Sequence, residues 1–103
     1  MAERALLGKL DDFEEGRIHG VEVDGRQLIL VNLDGTLHVL DGICTHAYAE
    51  LATGFLTGEY VRCPLHQSQF DVETGEAVGP PAEEPLRTYP VEVEGDSVYV
   101  VFD

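Results

Sequence analysis

The feature that most constrains the fold of this chain is a repeated two-residue turn between short apolar segments. Three such turns occur, at Asp24-Gly25, Asp34-Gly35 and Gly95-Asp96. Tight hairpin turns need positive φ, which glycine and aspartate tolerate, so such pairs between apolar segments are a strong hairpin signal. The sequence therefore predicts an all-β fold, with a three-strand meander near the amino end and a hairpin at the carboxyl end.

The predicted strands are short and closely spaced, as in a sandwich or barrel. They cover 18–23, 27–32, 36–40, 59–62, 69–72, 91–94 and 97–101. One short helical turn is predicted over 11–15, with Asp11 as its cap and Gly16 as its stop. The proline-rich segment 79–85 cannot join a central sheet and is predicted to be a surface loop.

Length and charge limit the possible partners. A chain of 103 residues is predicted to form one domain, 1–103. Its start carries no apolar stretch suited to a signal peptide or a membrane span, so we expect a cytoplasmic protein. Twenty acidic against six basic side chains give a net charge of −14, which argues against nucleic acid and anionic membranes. A basic protein surface is the better partner, although acidity also keeps a small protein soluble.

Two short segments in the middle of the chain hold potential metal ligands. Cys44-Thr45-His46 and Cys63-Pro64-Leu65-His66 contain both cysteines and two of the four histidines. Each segment lies between predicted strands and offers one thiolate and one imidazole. Together they predict a four-ligand metal site built from two loops.

Other interpretations of the two cysteines are a disulfide, two buried thiols or a structural zinc ion. A disulfide is unexpected in a cytoplasmic chain and leaves the two histidines unexplained. Zinc fingers usually place both cysteines in one segment and both histidines in the other, whereas here each segment mixes the two. The mixed order suits a binuclear cluster, because each loop can then supply one ligand to each metal.

The segment 44–71 resembles the two cluster-binding loops of Rieske proteins. It runs Cys-Thr-His, then sixteen residues, then Cys-Pro-Leu-His-Gln-Ser-Gln-Phe-Asp. In length and carboxyl-terminal hairpin the whole chain is similar to the ferredoxin components of bacterial aromatic-ring-hydroxylating dioxygenase systems. That resemblance implies a fold of three antiparallel sheets, with a small cluster-binding subdomain, approximately 42–80, inserted into a larger β base.

The resemblance also implies a cofactor, its ligands and its partners. One [2Fe–2S] cluster per chain would be bound by Cys44 and Cys63 through sulfur to one iron, and by His46 and His66 through Nδ1 to the other. The chain would be a monomeric one-electron carrier without catalysis of its own. It would take electrons from a flavin-containing reductase and pass them to the Rieske centre of a terminal oxygenase. The segment Pro80-Pro81 would shield the cluster from water.

Departures from the high-potential respiratory members predict a low reduction potential. Those proteins have an additional cysteine in each loop, where this chain has Ala49 and Leu65, so their loop-to-loop disulfide is impossible here. Their tyrosine near a ligand cysteine is replaced by Phe70, which cannot donate a hydrogen bond. Ser68 matches the serine that donates to a bridging sulfide. These differences predict a potential near roughly −150 mV, the lower end of the Rieske range.

Two other functions remain possible at this point: a redox subunit of another complex, such as a nitrite or arsenite enzyme, or a structural zinc module. Outside the motifs, His19 and His38 are expected at the surface or at an interface rather than as ligands. Tyr48 and Phe55 are expected to pack under the loops.

Overall fold

A computed structural model of the chain describes residues 3–44, 50–64, 68–79 and 84–102. Within them the regular structure is β-strand, with two short 3-10 helices, Leu10–Asp12 and Leu51–Thr53, and no α-helix. The strands are β1 (Glu3–Lys9), β2 (Ile18–Val23), β3 (Arg26–Leu33), β4 (Thr36–Asp41), β5 (Phe55–Thr57), β6 (Tyr60–Arg62), β7 (Gln69–Asp71), β8 (Ala77–Gly79), β9 (Thr88–Tyr89), β10 (Val91–Glu94) and β11 (Ser97–Phe102). The predicted all-β class is confirmed.

The strands form three antiparallel sheets. We call them the outer sheet (β1-β11-β10), the middle sheet (β2-β3-β4-β9) and the inserted sheet (β5-β6-β7-β8). The inserted sheet is continuous in sequence and lies between β4 and β9, which pair with each other in the middle sheet. The chain thus leaves the middle sheet, builds a separate small sheet and returns to the strand that it left.

The middle sheet is covered on both faces, which explains its continuous apolar sequence. Leu28, Ile29, Leu30 and Val31 are consecutive in β3 and all buried. Side chains alternate across a strand, so neighbouring residues enter different cores. The outer core contains Phe13, Val23, Leu28, Leu30, Val39, Tyr89, Val98 and Val100. The site core contains Ile29, Val31, Leu40, Cys44, Leu51, Val61, Cys63, Phe70, Val72 and Leu86.

The predicted hairpins are present, and their turns have the expected backbone. Asp24-Gly25 has φ of 49° and 80°, and Asp34-Gly35 has φ of 52° and 86°. These values are typical of the tight turn that matches strand twist. They connect β2 to β3 and β3 to β4 in continuous antiparallel register. The carboxyl-terminal hairpin joins β10 to β11 as predicted.

Some elements differ from the sequence expectation. The predicted helical turn over 11–15 is a 3-10 helix over Leu10–Asp12, capped by Lys9 and Phe13 rather than by Asp11 and Gly16. The carboxylate of Asp12 accepts a hydrogen bond from the Lys9 amide at 2.9 Å. Strands β1, β5, β8 and β9 were not predicted. Strand β1 has no alternating pattern, and its extended form comes from pairing with β11. No helix in the described ranges is long and apolar enough to cross a membrane.

Candidate metal centre

Cys44 lies at the start of a loop whose two ends are tied together by the backbone. Ile43 forms an antiparallel bridge with Glu50, and the Leu51 amide donates to the Gly42 carbonyl oxygen at 2.8 Å. The Gly42 amide in turn donates to the carbonyl of Gln27 in β3 at 2.8 Å. A Cβ on Gly42 would lie 2.9 Å from that same carbonyl, so only glycine allows this close approach. The first loop is therefore fixed directly to the middle sheet.

Cys63 begins a second loop, which is closed by the hairpin of β6 and β7. The Cys63 amide donates to the Ser68 carbonyl oxygen at 2.8 Å, and Arg62 pairs with Gln69 just outside this bond. Backbone pairing thus fixes both ends of the segment 63–68. A loop held in this way can aim a side chain with little conformational freedom.

One close contact holds the two loops at the same end of the inserted sheet. Gly54 follows the 3-10 helix after the first loop, and a Cβ there would collide with the carbonyl oxygen of Arg62 and lie 3.2 Å from Pro64. The return path of the first loop therefore packs on the backbone that leads into the second. Sequence reasoning missed this role of Gly54, because a lone glycine between two segments suggests only a turn.

Both cysteines are buried in one core. Cys44 is 4% exposed and Cys63 is 1% exposed, and both belong to the site core. They are not joined by a disulfide in the described structure. The fold therefore brings together two thiols that are 19 positions apart in sequence, on loops whose ends are fixed.

Two further residues of the sequence prediction lie in this buried region. Ser68 is completely buried at the end of the second loop, and it is a polar residue among apolar ones. Phe70 is completely buried in β7, opposite Val61, and belongs to the same core as both cysteines. Their placement fits the expected surroundings of a metal centre, although their roles toward the cofactor stay predictions.

Several predicted site residues lie outside the described residues. They are His46 and His66, expected as ligands, together with Tyr48, Ala49, Leu65, Pro80 and Pro81. The four-ligand set therefore stays a prediction, of which the described part of the chain contains the two cysteines.

The expectation that Phe55 packs under the loops is wrong. Its side chain is 59% exposed, because it lies on edge strand β5, opposite Arg62, on the face of the inserted sheet away from the site core. His38 is half-buried in β4, and its neighbour Val39 enters the outer core. His19 donates from Nε2 to the carbonyl oxygen of Glu14 at 3.1 Å, a contact that needs no metal.

The two ends of the inserted segment are joined by a side-chain clasp that sequence analysis did not find. Asp41, the last residue of β4, accepts a hydrogen bond from the Tyr89 hydroxyl at 2.6 Å and another from the Arg87 amide at 3.2 Å. The Asp41 amide donates to the Arg87 carbonyl at 3.0 Å. Burial, and then the bond to Asp41, raise the pKa of Tyr89 above its usual value. The clasp fixes the strand that leads into Cys44 to the strand that returns.

The donor set and its surroundings fit an iron–sulfur centre. Iron–sulfur clusters are held by thiolates, and the cluster potential depends on burial and on hydrogen bonds to sulfur. Here two buried thiols come from two fixed loops, with a buried serine and little exposed surface beside them. Such a site can bind a cluster away from water.

Comparisons with known proteins agree with this fit. The family model for the Rieske [2Fe-2S] domain matches residues 3–90. The chain is 44% identical over 85 residues to the ferredoxin component of the naphthalene 1,2-dioxygenase/salicylate 5-hydroxylase systems of Ralstonia sp., covering 82% of each chain. It is 42% identical over 91 residues to the ferredoxin component of the naphthalene 1,2-dioxygenase system of Pseudomonas aeruginosa, covering 88% of each.

Among solved structures the chain is similar to the ferredoxin of Sphingomonas yanoikuyae B1, with a TM-score of 0.90 and 32% identity, covering 95% of this chain and 97% of that one. The cofactor of the present chain is one [2Fe–2S] cluster, and the function of the chain is electron transfer. With two buried thiols on two fixed loops, and a family model that matches most of its length, the chain belongs to the Rieske [2Fe–2S] family, among the ferredoxins.

Proposed function

We propose that this ferredoxin carries single electrons from a flavin-containing reductase to the Rieske centre of a terminal ring-hydroxylating oxygenase. The main support is the burial of Cys44 and Cys63 in one core, in a chain 44% identical to a ferredoxin component of an aromatic dioxygenase system. A ferredoxin similar in fold, with a TM-score of 0.89 and 31% identity, has been solved in complex with the oxygenase of carbazole 1,9a-dioxygenase.

The proposed ligands are Cys44 and Cys63 through sulfur to one iron, and His46 and His66 through Nδ1 to the other. The cluster supplies the one-electron redox chemistry. The chain binds it through these side chains, buries the two cysteines and fixes the ends of both loops. Rigid ligand positions favour electron transfer, because less of the site must rearrange when its charge changes.

We further propose one domain over 1–103, with a cluster-binding subdomain at approximately 42–80. Support comes from the continuity of β5 to β8 in sequence and from the pairing of β4 with β9 on either side of them. The clasp between Asp41 and Tyr89 lies at the boundary between this subdomain and the base.

The acidic surface is proposed to guide transient docking to basic surfaces on both partners. The net charge of −14 gives a long-range attraction that raises association rates and weakens with salt. The chain itself is proposed to be a cytoplasmic monomer. It is also proposed to have no catalysis of its own, because all four proposed ligands are protein atoms and leave no open metal position.

The test is reconstituted electron transfer. The purified protein should contain two irons and two acid-labile sulfides and show a rhombic EPR signal only after reduction. With the reductase and oxygenase of a naphthalene dioxygenase system, product formation should require this chain. The rate at limiting concentration should fall as ionic strength rises past about 0.1 M, where exposed charges are screened beyond about 10 Å. Electron-transfer rates that do not depend on salt would mean that the acidic surface serves solubility and not docking.

The alternatives give different results in the same experiments. Stoichiometric zinc in a colourless protein would indicate a structural module, since zinc has no redox chemistry. A permanent complex with a larger enzyme, instead of a monomer that exchanges between partners, would indicate a redox subunit of a nitrite or arsenite enzyme. The named relatives favour the dioxygenase role.

A further inference from the structure

The six basic side chains of this acidic protein differ in their contacts. Five of them contact a carboxylate or an aromatic ring among the described residues. These contacts are Arg4 with Glu92 and Glu94, Lys9 with Asp96, Arg17 with Glu14, Arg26 over Phe102, and Arg87 over Tyr89. Arg62 has neither kind of contact in the described part of the chain, although the whole sequence has 14 more carboxylates than cations.

Arg62 also occupies a special position, because it is the last residue of β6 and directly precedes Cys63. Its side chain is half-buried, and its Nε atom is buried with no hydrogen-bond partner among the described residues. Val61 enters the site core, so Arg62 lies on the opposite face of the inserted sheet, in register between Phe55 and Gln69. A partly desolvated charge that has no counter-ion among the described residues is less screened than an exposed, paired one.

We propose that the positive charge of Arg62 raises the reduction potential of the cluster. The inference rests on the proposed function, since it requires a cluster bound by the adjacent Cys63. Reduction adds one electron to the centre, and the electron comes from the reductase. A nearby cation stabilises the added negative charge and leaves the oxidised state less affected. Arg62 would thus partly offset the low potential expected from Phe70 and from the missing loop disulfide.

The size of the effect follows from Coulomb's law. For two unit charges about 10 Å apart and an effective dielectric constant between about 20 and 40, the equilibrium constant for reduction changes by about fourfold to fifteenfold. At about 59 mV per tenfold for a one-electron couple, this corresponds to about 35 to 70 mV. An exposed and paired arginine would have a much smaller effect, because water and its counter-ion screen it.

Protein-film voltammetry of the holoprotein tests the inference with three variants. Arg62→Gln should lower the reduction potential, which corresponds to a decrease of about fourfold to fifteenfold in the equilibrium constant for reduction. Arg62→Lys keeps the charge and should restore most of the wild-type potential, which a role in packing alone would not explain. Arg4→Gln removes the same charge from the outer sheet, where Glu92 and Glu94 neutralise it. It should change the equilibrium constant for reduction by less than about twofold.

EPR of each reduced variant separates failure of this inference from failure of the proposed function. The rhombic signal and two irons per chain in all variants would show that the centre is intact. An unchanged potential in Arg62→Gln with an intact signal would overturn the tuning role and leave the electron-carrier role in place. Equal shifts in Arg62→Gln and Arg4→Gln would also overturn it, because net charge would then be the cause.

Discussion

The two faces of the middle sheet bury similar apolar side chains but support very different structures. On one face, Leu30 packs in the outer core against the long strands of the outer sheet. On the other face, Leu40 packs in the site core, which contains both cysteines and is covered by strands of three residues each. Regular pairing stabilises the first face, whereas fixed loop ends and close glycine contacts hold the second.

This difference separates the part of the chain that stabilises the fold from the part that performs its chemistry. A small sheet of short strands needs a packed apolar face to be stable. The inserted sheet therefore depends on the middle sheet, on the clasp at Asp41 and on the bound cluster. Metal binding contributes folding free energy wherever the ligands converge only in the folded state.

Loss of the cluster should have the largest effect on structure. It should loosen the inserted sheet and leave the outer sheet intact. Replacing Cys44 or Cys63 with Ser, or His46 or His66 with Ala, should abolish normal cluster assembly, because each proposed ligand is needed. Hydrogen exchange should then show lost protection in β6 and β7 and retained protection in β10 and β11. Iron and sulfide analysis measures the first effect, and mass spectrometry measures the second.

The matched control for the ligand variants is His38→Ala, which alters a half-buried histidine of β4 that is not among the proposed ligands. It should retain two irons per chain. Loss of iron in this control, or full iron in Cys63→Ser, would contradict the proposed ligand set. Equal loss of protection in both hairpins would contradict the separation of the two faces.

The next largest effects should come from cavities on either side of the middle sheet. Leu30→Ala and Leu40→Ala each remove a fully buried leucine, and each should lower the free energy of unfolding by about 2 to 5 kcal/mol. Only Leu40→Ala opens a cavity in the core that contains the cysteines, so only this variant should release iron faster to a chelator. Equal release rates in two equally destabilised variants would show that the two cores act as one.

The same contrast explains what could be predicted from the sequence. Hairpins at Asp24-Gly25 and Asp34-Gly35 are local, since two residues determine the turn and neighbouring apolar segments determine the register. The cysteine motifs were recognised from residue type and spacing. Strands β5 and β8 were missed, because three residues carry no measurable periodicity and become extended only through tertiary pairing.

Contacts that join distant parts of the sequence were also missed. The bond between Asp41 and Tyr89 connects residues 48 positions apart, and neither residue is unusual in its local context. Phe55 was wrongly expected to be buried, because an aromatic residue between two motifs suggests packing when the edge position of its strand is unknown. The lack of a carboxylate or ring contact at Arg62 among the described residues could be found only by comparing it with the other five cations in the structure.

A smaller effect is expected from breaking the clasp between the two ends of the inserted segment. Tyr89→Phe removes the hydroxyl that donates to Asp41 and should lower the free energy of unfolding by about 1.5 to 3 kcal/mol near pH 7. The raised pKa of Tyr89 gives this contribution a pH dependence. It should be fully present below the unfolded value of about 10 and be lost as the pH rises toward the folded value.

Urea unfolding at neutral and alkaline pH measures this dependence. The difference between wild type and Tyr89→Phe should shrink above pH 10, roughly the tyrosine value in unfolded chains. The control is Tyr99→Phe, which removes the hydroxyl of a half-buried tyrosine that lies under Arg4 in the outer sheet. A difference in the free energy of unfolding that stays constant across the pH range would mean that Tyr89 contributes through packing rather than through the hydrogen bond of its hydroxyl.

The smallest expected effect concerns Phe70, whose ring lies in the site core while its strand belongs to the inserted sheet. If its edge faces a cysteine sulfur, Phe70→Tyr adds a donor whose hydrogen bond strengthens when reduction makes that sulfur more electron-rich. A difference of about 0.5 to 1.5 kcal/mol between the two redox states would raise the potential by roughly 20 to 65 mV. Phe102→Tyr adds the same hydroxyl at the margin of the outer core and should leave the potential unchanged. An unchanged potential in Phe70→Tyr together with a lower melting temperature would mean a buried hydroxyl without a partner, and Phe70 would then serve only to pack the core.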